Sequence, residues 1–286
     1  MIRFTFVRWT LLAAYLIGGL PLGAAERAVS LATQDGWTLA AVYAPAAEDR
    51  RTVILLHDLG KSKEAFASLR TALAKEGIGY LAVDLRGYGQ STGAGTAASF
   101  AREGVDNQFN KMTRDMDAAM DFLQKQRISP DKIGVLGAGL GANVAAKSMT
   151  FWPDVALLAL ISPTANVRDV LTIPALRLYK GNVLIAAGAA DKKMFLEASV
   201  IRNVAYLTTG PENGKVTFLT AYDKTSHDML DQYLIPAVIQ WLKTPQRPDI
   251  IPDQLPKGGL DYTIQTEGIW VSPSQTEESL EPSVLD

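Results

Sequence analysis

The sequence has no cysteine, which removes disulfides, thiolate metal sites and a cysteine nucleophile together. It has only two histidines, His57 and His227, so a histidine-rich metal centre is excluded and no metal or other cofactor is expected. Net charge is nearly absent as well: 28 basic residues against 30 acidic ones leave −2. A strongly basic nucleic-acid-binding surface is therefore not the expectation. What the chain does have is apolar residues, 48 % of 286, enough to bury the core of one large domain.

The near-zero charge averages over unlike parts. Residues 1–25 carry Arg3 and Arg8, an apolar stretch from Thr10 to Leu22 and the small residues Gly23, Ala24 and Ala25. That order is the layout of a signal peptide cut after Ala25, and it implies export to a periplasmic or extracellular space. The apolar stretch is short for a bilayer-crossing helix, which needs about 20 residues, so no stable span is expected once it is cleaved. From Thr244 to Asp286 the chain is rich in proline, with eight acids against two bases. That composition reads as an extended or disordered tail, with one β-prone stretch near 260–271 able to pair with the body or with a partner protein. The remaining body, 26–243, is mildly basic.

Within the body, strands and helices alternate. Val29–Thr33 and Thr38–Tyr43 flank Asp35-Gly36, a hairpin signal. Apolar runs at Thr52–Leu56, Gly79–Val83, Lys132–Leu136, Val155–Ile161, Asn182–Ala187 and Lys215–Ala221 read as strands buried on both faces. Helical spacing occurs at Lys63–Glu76, Asp115–Gln124, Ala142–Thr150, Asn166–Leu178, Met194–Ala205 and Met229–Leu242. The pattern implies an α/β fold, a mostly parallel sheet with an antiparallel N-terminal hairpin and helices on both faces. Functional loops then fall at the carboxyl ends of the strands. Ser162 to Gly181 leaves room for one helix and its loops but no large cap domain.

After the run at Lys132–Leu136 comes Gly137-Ala138-Gly139-Leu140-Gly141, a tight glycine turn between a strand and a helix. It fits the frame of a nucleophile elbow, G-x-S-x-G, and also the G-x-G-x-x-A variant of a dinucleotide loop, although it lies mid-chain rather than at the first strand-to-helix turn. Three further segments accompany it. They are Leu56-His57-Asp58-Leu59-Gly60, Asp84-Leu85-Arg86-Gly87-Tyr88-Gly89-Gln90-Ser91, and the pair of strand-end positions Asp191 and His227. Together these resemble the α/β-hydrolase superfamily, nearest its dienelactone-hydrolase-like and small serine-esterase members, over about Val29 to Lys243. The resemblance implies that Asp191 and His227 are the acid and base of a triad. It implies that the backbone N–H groups of Leu59 and Leu140 form an oxyanion hole and that His57 orients its own loop. Asp84 and Arg86 would pair with each other as a structural ion pair, and Tyr88 and Trp152 are candidates for a pocket wall or for packing.

The nucleophile position, however, is Gly139. Glycine forms no acyl-enzyme, and it relieves the backbone strain an elbow imposes on any residue with a Cβ. Asp58 replaces the usual glycine after the loop histidine, and if it points inward its charge opposes a developing anion. The leading expectation is an exported pseudo-hydrolase that binds a small ligand or a protein partner. Two alternatives stay open. One is an enzyme using Asp191 and His227 as a general base without a covalent nucleophile. The other is a hydrolase whose nucleophile has moved, with Ser62, Ser91 and Ser226 as weak candidates.

Overall fold

In the computed structural model the described residues are 25–210, 213–221, 224–225, 229–230 and 234–245. The signal-like segment, the tail with its β-prone stretch, and Ser226 and His227 lie outside them. One eight-stranded sheet organises the body. Its strands are β1 (Arg27–Ala32), β2 (Thr38–Ala44), β3 (Thr52–Leu56), β4 (Gly79–Val83), β5 (Ile133–Ala138), β6 (Leu157–Ile161), β9 (Asn182–Gly188) and β10 (Val216–Ala221). They lie in the order β1-β2-β4-β3-β5-β6-β9-β10. β1 and β2 pair antiparallel across the Asp35-Gly36 turn, β2 joins β4 antiparallel, and every later pair is parallel.

The central strands β3, β4 and β6 are buried at every position because both faces are covered. Alternate residues of β3 serve two separate cores. Ile54 and Leu56 join the cluster packed by α2 (Thr113–Lys125), α3 (Leu140–Ser148) and α5 (Lys192–Thr209). Val53 and Leu55 join the one packed by α1 (Ala67–Lys75) and α6 (Leu234–Lys243). The period-2 alternation of a strand thus divides one apolar run between two layers of helices.

Two expectations need correction. Asn166–Leu178 is not one helix. It forms a two-residue-stranded hairpin, β7 (Asn166–Val167) with β8 (Val170–Leu171), followed by the single turn α4 (Ile173–Leu176). Pro174 sits in the first turn of α4; lacking an N–H and clashing with the preceding turn, it stops any helix from running in from the N-terminal side. The hairpin is then fixed from below. Asn143 on α3, fully buried, donates through Nδ2 to Thr164 O and Val170 O, each at 2.9 Å, and accepts from Thr164 N at 3.1 Å.

Nor do Asp84 and Arg86 pair with each other. Asp84 accepts from Lys63 Nζ (2.6 Å), Lys63 N (2.7 Å) and Gln90 N (2.9 Å). Arg86 spans Asp35 in the β1–β2 turn (2.7 and 3.0 Å) and Asp115 on α2 (2.8 Å from Nε). Both the Arg86 and Asp115 side chains are fully buried. Burial pushes the Asp115 carboxyl up to about 6, against the pull of Arg86. At Asp35 burial also raises, but hydrogen bonds from Arg86, Thr33 and Arg114 outweigh it and hold that carboxyl well below the usual range. These three ion pairs, Asp84 with Lys63 and Arg86 with Asp35 and Asp115, lock the 84–91 loop to three different elements, and that loop forms one wall of the site.

Candidate active site

β5 delivers Gly139 to the head of the sheet at φ 52°, ψ −118°, where α3 begins. A side chain pays about 1–3 kcal/mol for such backbone angles, and glycine avoids that cost. The flanking glycines are required by proximity: a Cβ on Gly141 would lie 2.0 Å from Leu56 O, and one on Gly137 2.2 Å from Gly141 O. The Gly139 N–H donates to Ile161 O at 2.9 Å, so it is not turned toward a phosphate. The turn therefore has the shape of an elbow rather than of a dinucleotide loop.

The space above the elbow is filled from the other side. Asp58, at the end of β3, turns its carboxylate onto Gly139. A Cβ there would lie 1.9 Å from Asp58 Oδ1 and 2.0 Å from its Cγ. The same Oδ1 accepts from Leu59 N at 2.7 Å and Leu140 N at 2.8 Å. The two N–H groups expected to receive a substrate oxyanion thus converge on one point, and a carboxylate oxygen of the chain itself occupies it. Leu140 opens α3, so the carboxylate also meets the positive end of that helix and supplies the cap Gly139 has no side chain to make.

His57 holds this loop in place. It is fully buried. Leu85 N donates to Nε2 at 3.0 Å, so the ring proton is on Nδ1, which donates to Asp58 O at 2.8 Å. Burial lowers its pKa and keeps it neutral. Both ring nitrogens are committed to backbone, which leaves no proton to exchange with a substrate. Tyr88 packs edge-on against the ring at 5.3 Å. Asp191 starts α5 and accepts from Met194 N at 3.1 Å as its N-cap. Its expected partner His227 lies outside the described residues, and so does any geometry of that pair.

Asp58 and Gly139 open onto a cavity of about 680 Å³. Phe66, Ala138, Ile161 and Leu230 give it an apolar lining, and Lys61, Ser62 and Tyr88 add polar groups. Ser91 and Trp152 do not line it. Ser91 is buried, donating to Asp84 O and accepting from Ala40 N. Trp152 donates to Asp117 Oδ1 at 2.7 Å and packs against the core. Ser62 does line the cavity, and its Oγ accepts from Glu64 N as a helix cap. Among the described residues no group of three or more acidic or histidine side chains is placed to hold a metal ion.

The sequence profile of the Hydrolase_4 family, described as serine aminopeptidase, S33, matches residues 47–223, more than half of the chain. The chain belongs to this family. Solved structures share the fold of this hydrolase-family chain. The Pyrococcus furiosus esterase Pf2001 is 19 % identical with a TM-score of 0.62, over 78 % of this chain and 91 % of that one. An esterase from Exiguobacterium antarcticum is 14 % identical with a TM-score of 0.61, over 76 % and 100 %. Dienelactone hydrolase from Anabaena variabilis is 16 % identical with a TM-score of 0.57, over 76 % and 94 %. No curated protein matches. At such identities the likeness is one of fold alone.

Proposed function

We propose that this hydrolase-family chain has given up serine-type ester hydrolysis, and that its cavity serves to hold a small ligand. One observation carries the reading: the Asp58 carboxylate lies over Gly139 and takes both N–H donors of the oxyanion hole. Acyl transfer at an elbow needs a nucleophile, a vacant hole and room for a tetrahedral carbon between them. Here glycine supplies no nucleophile, and the carboxylate takes the hole and the room. A substrate oxyanion forced close to Asp58 would meet a like charge, a repulsion of about 4 kcal/mol at 4 Å and an effective dielectric of 20. Export through the N-terminal segment belongs to the same proposal. It is supported by Glu26, the first residue after the expected cut, which accepts from Tyr80 Oη (2.6 Å) and Arg70 (3.1 Å) and so begins the folded body.

The test uses p-nitrophenyl butyrate and a fluorophosphonate probe on three proteins: the native chain, Gly139→Ser, and Gly139→Ser with Asp58→Gly. The native chain is expected to show neither turnover nor labelling. The single variant stays poor because the new side chain and Asp58 compete for one place, and the double variant labels at residue 139. Labelling of the native chain at a serine, with turnover, overturns the reading. N-terminal sequencing of secreted material, expected to begin at Glu26, tests export.

A further inference from the structure

Away from the cavity, α5 is apolar on two opposite faces. Ala198, Ile201, Ala205 and Thr209 turn inward and are buried. Positions 196, 200, 203 and 207 form the outer face, and three of the four are large and apolar. Leu196 is 65 % exposed, Val200 51 % and Leu207 78 %. Their helical spacing makes them one stripe, about 16 Å long at 1.5 Å per residue. A surface helix normally carries polar residues on that side, and one that is apolar all round is normally covered.

We propose that the cover is a segment of this same chain, residues 260–271, lying extended along the outer face of α5. Its composition fits the stripe. Leu260, Tyr262, Ile264, Ile269, Trp270 and Val271 are six large apolar residues in twelve positions.

The charges are complementary. α5 holds three cations, Lys192, Lys193 and Arg202, against one acid, Glu197, which already accepts from Ala165 N. Two further lysines gather at its carboxyl end. Lys180 Nζ donates to Thr208 O, and Lys215 Nζ donates to Lys180 O at 2.9 Å. Lysines therefore bracket the stripe at both ends. The segment carries two acids, Asp261 and Glu267, and no base. Six extended residues set those acids about 20 Å apart. The helix from Lys193 to Thr208 spans about 22 Å. Each acid is thus able to meet one group of lysines while Tyr262 and Ile264 lie on the stripe between them.

Reach and size favour the same occupant. α6 ends at Lys243 in the helix layer on the other face of the sheet. The stretch from there to Asp261 spans about 60 Å when extended. That exceeds the width of a body of this size, about 45 Å. A second copy fits less well, because three side chains fall short of the about 800 Å² per partner that a stable interface buries. A tethered segment is present at about millimolar effective concentration and needs no such area.

The absence of cysteine allows a direct test by cross-linking. In the full chain, Ile264→Cys is combined with Val200→Cys on the stripe, or with Lys75→Cys, exposed on α1 in the opposite layer. Tyr262→Cys and Ile269→Cys repeat the comparison, so that a shifted register does not pass for absence. Each protein is treated with a short bis-maleimide, and links within and between chains are separated by mass. The expected result is a link within one chain from position 200 to the segment, forming about ten times faster than the link from position 75. Adding Leu196→Asp and Leu207→Asp, both at exposed positions of the body, should leave the melting transition in place and abolish that preference. Equal rates from positions 200 and 75, or no link from either, overturn the proposal. So does a preference that survives the two aspartates. A link from position 200 that forms only between chains overturns it as well, since the cover would then be a second copy.

Discussion

Two aspartates end adjacent strands, Asp58 after β3 and Asp84 after β4, and both turn their carboxylates inward. Asp84 is fully buried and answered by a buried cation, Lys63 Nζ at 2.6 Å, together with two backbone N–H groups. Asp58 is half-buried, faces a cavity and is held by backbone N–H groups of its own loop and of α3. The same residue type at two neighbouring strand ends is buried scaffold in one case and part of a cavity wall in the other. What differs is the partner. At Asp84 a lysine neutralises the charge, whereas at Asp58 two N–H dipoles fix the position of Oδ1 at the cavity wall.

That contrast predicts unequal costs. Asp84→Ala leaves the buried Lys63 cation with only Gln90 and the distant, exposed Glu64 carboxylate, and breaking a buried ion pair costs about 3–5 kcal/mol. Asp58→Asn keeps an amide oxygen able to accept from Leu59 and Leu140 N–H, so the loss is near that of a weakened helix cap, about 1 kcal/mol. Urea denaturation of both variants measures the gap. Equal destabilisation would make Asp58 as structural as Asp84 and erase the distinction.

The next largest effect concerns the pair across the elbow. Gly139→Ser adds about 1–3 kcal/mol of backbone strain and displaces the Asp58 carboxylate from its two donors. In a chain that also carries Asp58→Gly, only the strain remains. The two substitutions should therefore couple, by about 0.5–3 kcal/mol in a double-mutant cycle on urea midpoints. Simple additivity would mean that Asp58 swings aside at little cost, and the hole would then be open to a substrate oxygen after all.

The sequence carried most of the scaffold and only part of this site. β3 and β4 are legible as nearly unbroken apolar runs without polar alternation, the look of strands covered on both faces. The hairpin is legible from Asp35-Gly36, with Gly36 at φ 88° as such a turn requires. Gly137 and Gly141 are legible because strand and helix must nearly touch at an elbow. Asn166–Leu178 misleads because Val167, Val170, Leu171 and Leu176 imitate helical spacing, while Pro174 and the turn at Arg168-Asp169, φ 53° and 62°, cut the segment in two. The partners of Asp84 and Arg86 are not legible at all. Closeness in sequence suggested that they pair, but the charges that answer them sit 21 and 51 residues away in Lys63 and Asp35. The orientation of Asp58 had one signal, an acid where the superfamily has glycine, opposite a glycine where it has serine. Neither residue alone reveals that one fills the space the other vacates.

A smaller and pH-dependent effect extends the comparison to the aspartates that share Arg86. Asp35 has its carboxyl held below the usual range, so its contribution to stability is complete above its unfolded value, about 3.9, and is lost as pH falls through the folded one. Asp115 runs the other way. With burial raising it to about 6, its ionised form is penalised in the folded state, and that cost fades as pH drops from about 6 toward about 4. The cluster should therefore lose no stability between pH 7 and 4.5, and should weaken only in more acidic solution, where Asp35 takes up its proton and releases Arg86. Asp35→Asn lacks that ionisation: it should be less stable than the native chain at pH 7 and approach it at pH 3. Urea midpoints for the two proteins at pH 7, 5 and 3 provide the comparison. A gap that stays constant across those values would show that Asp35 holds Arg86 by hydrogen-bond geometry alone, as Asp58 holds its own donors, rather than by charge as Asp84 holds Lys63.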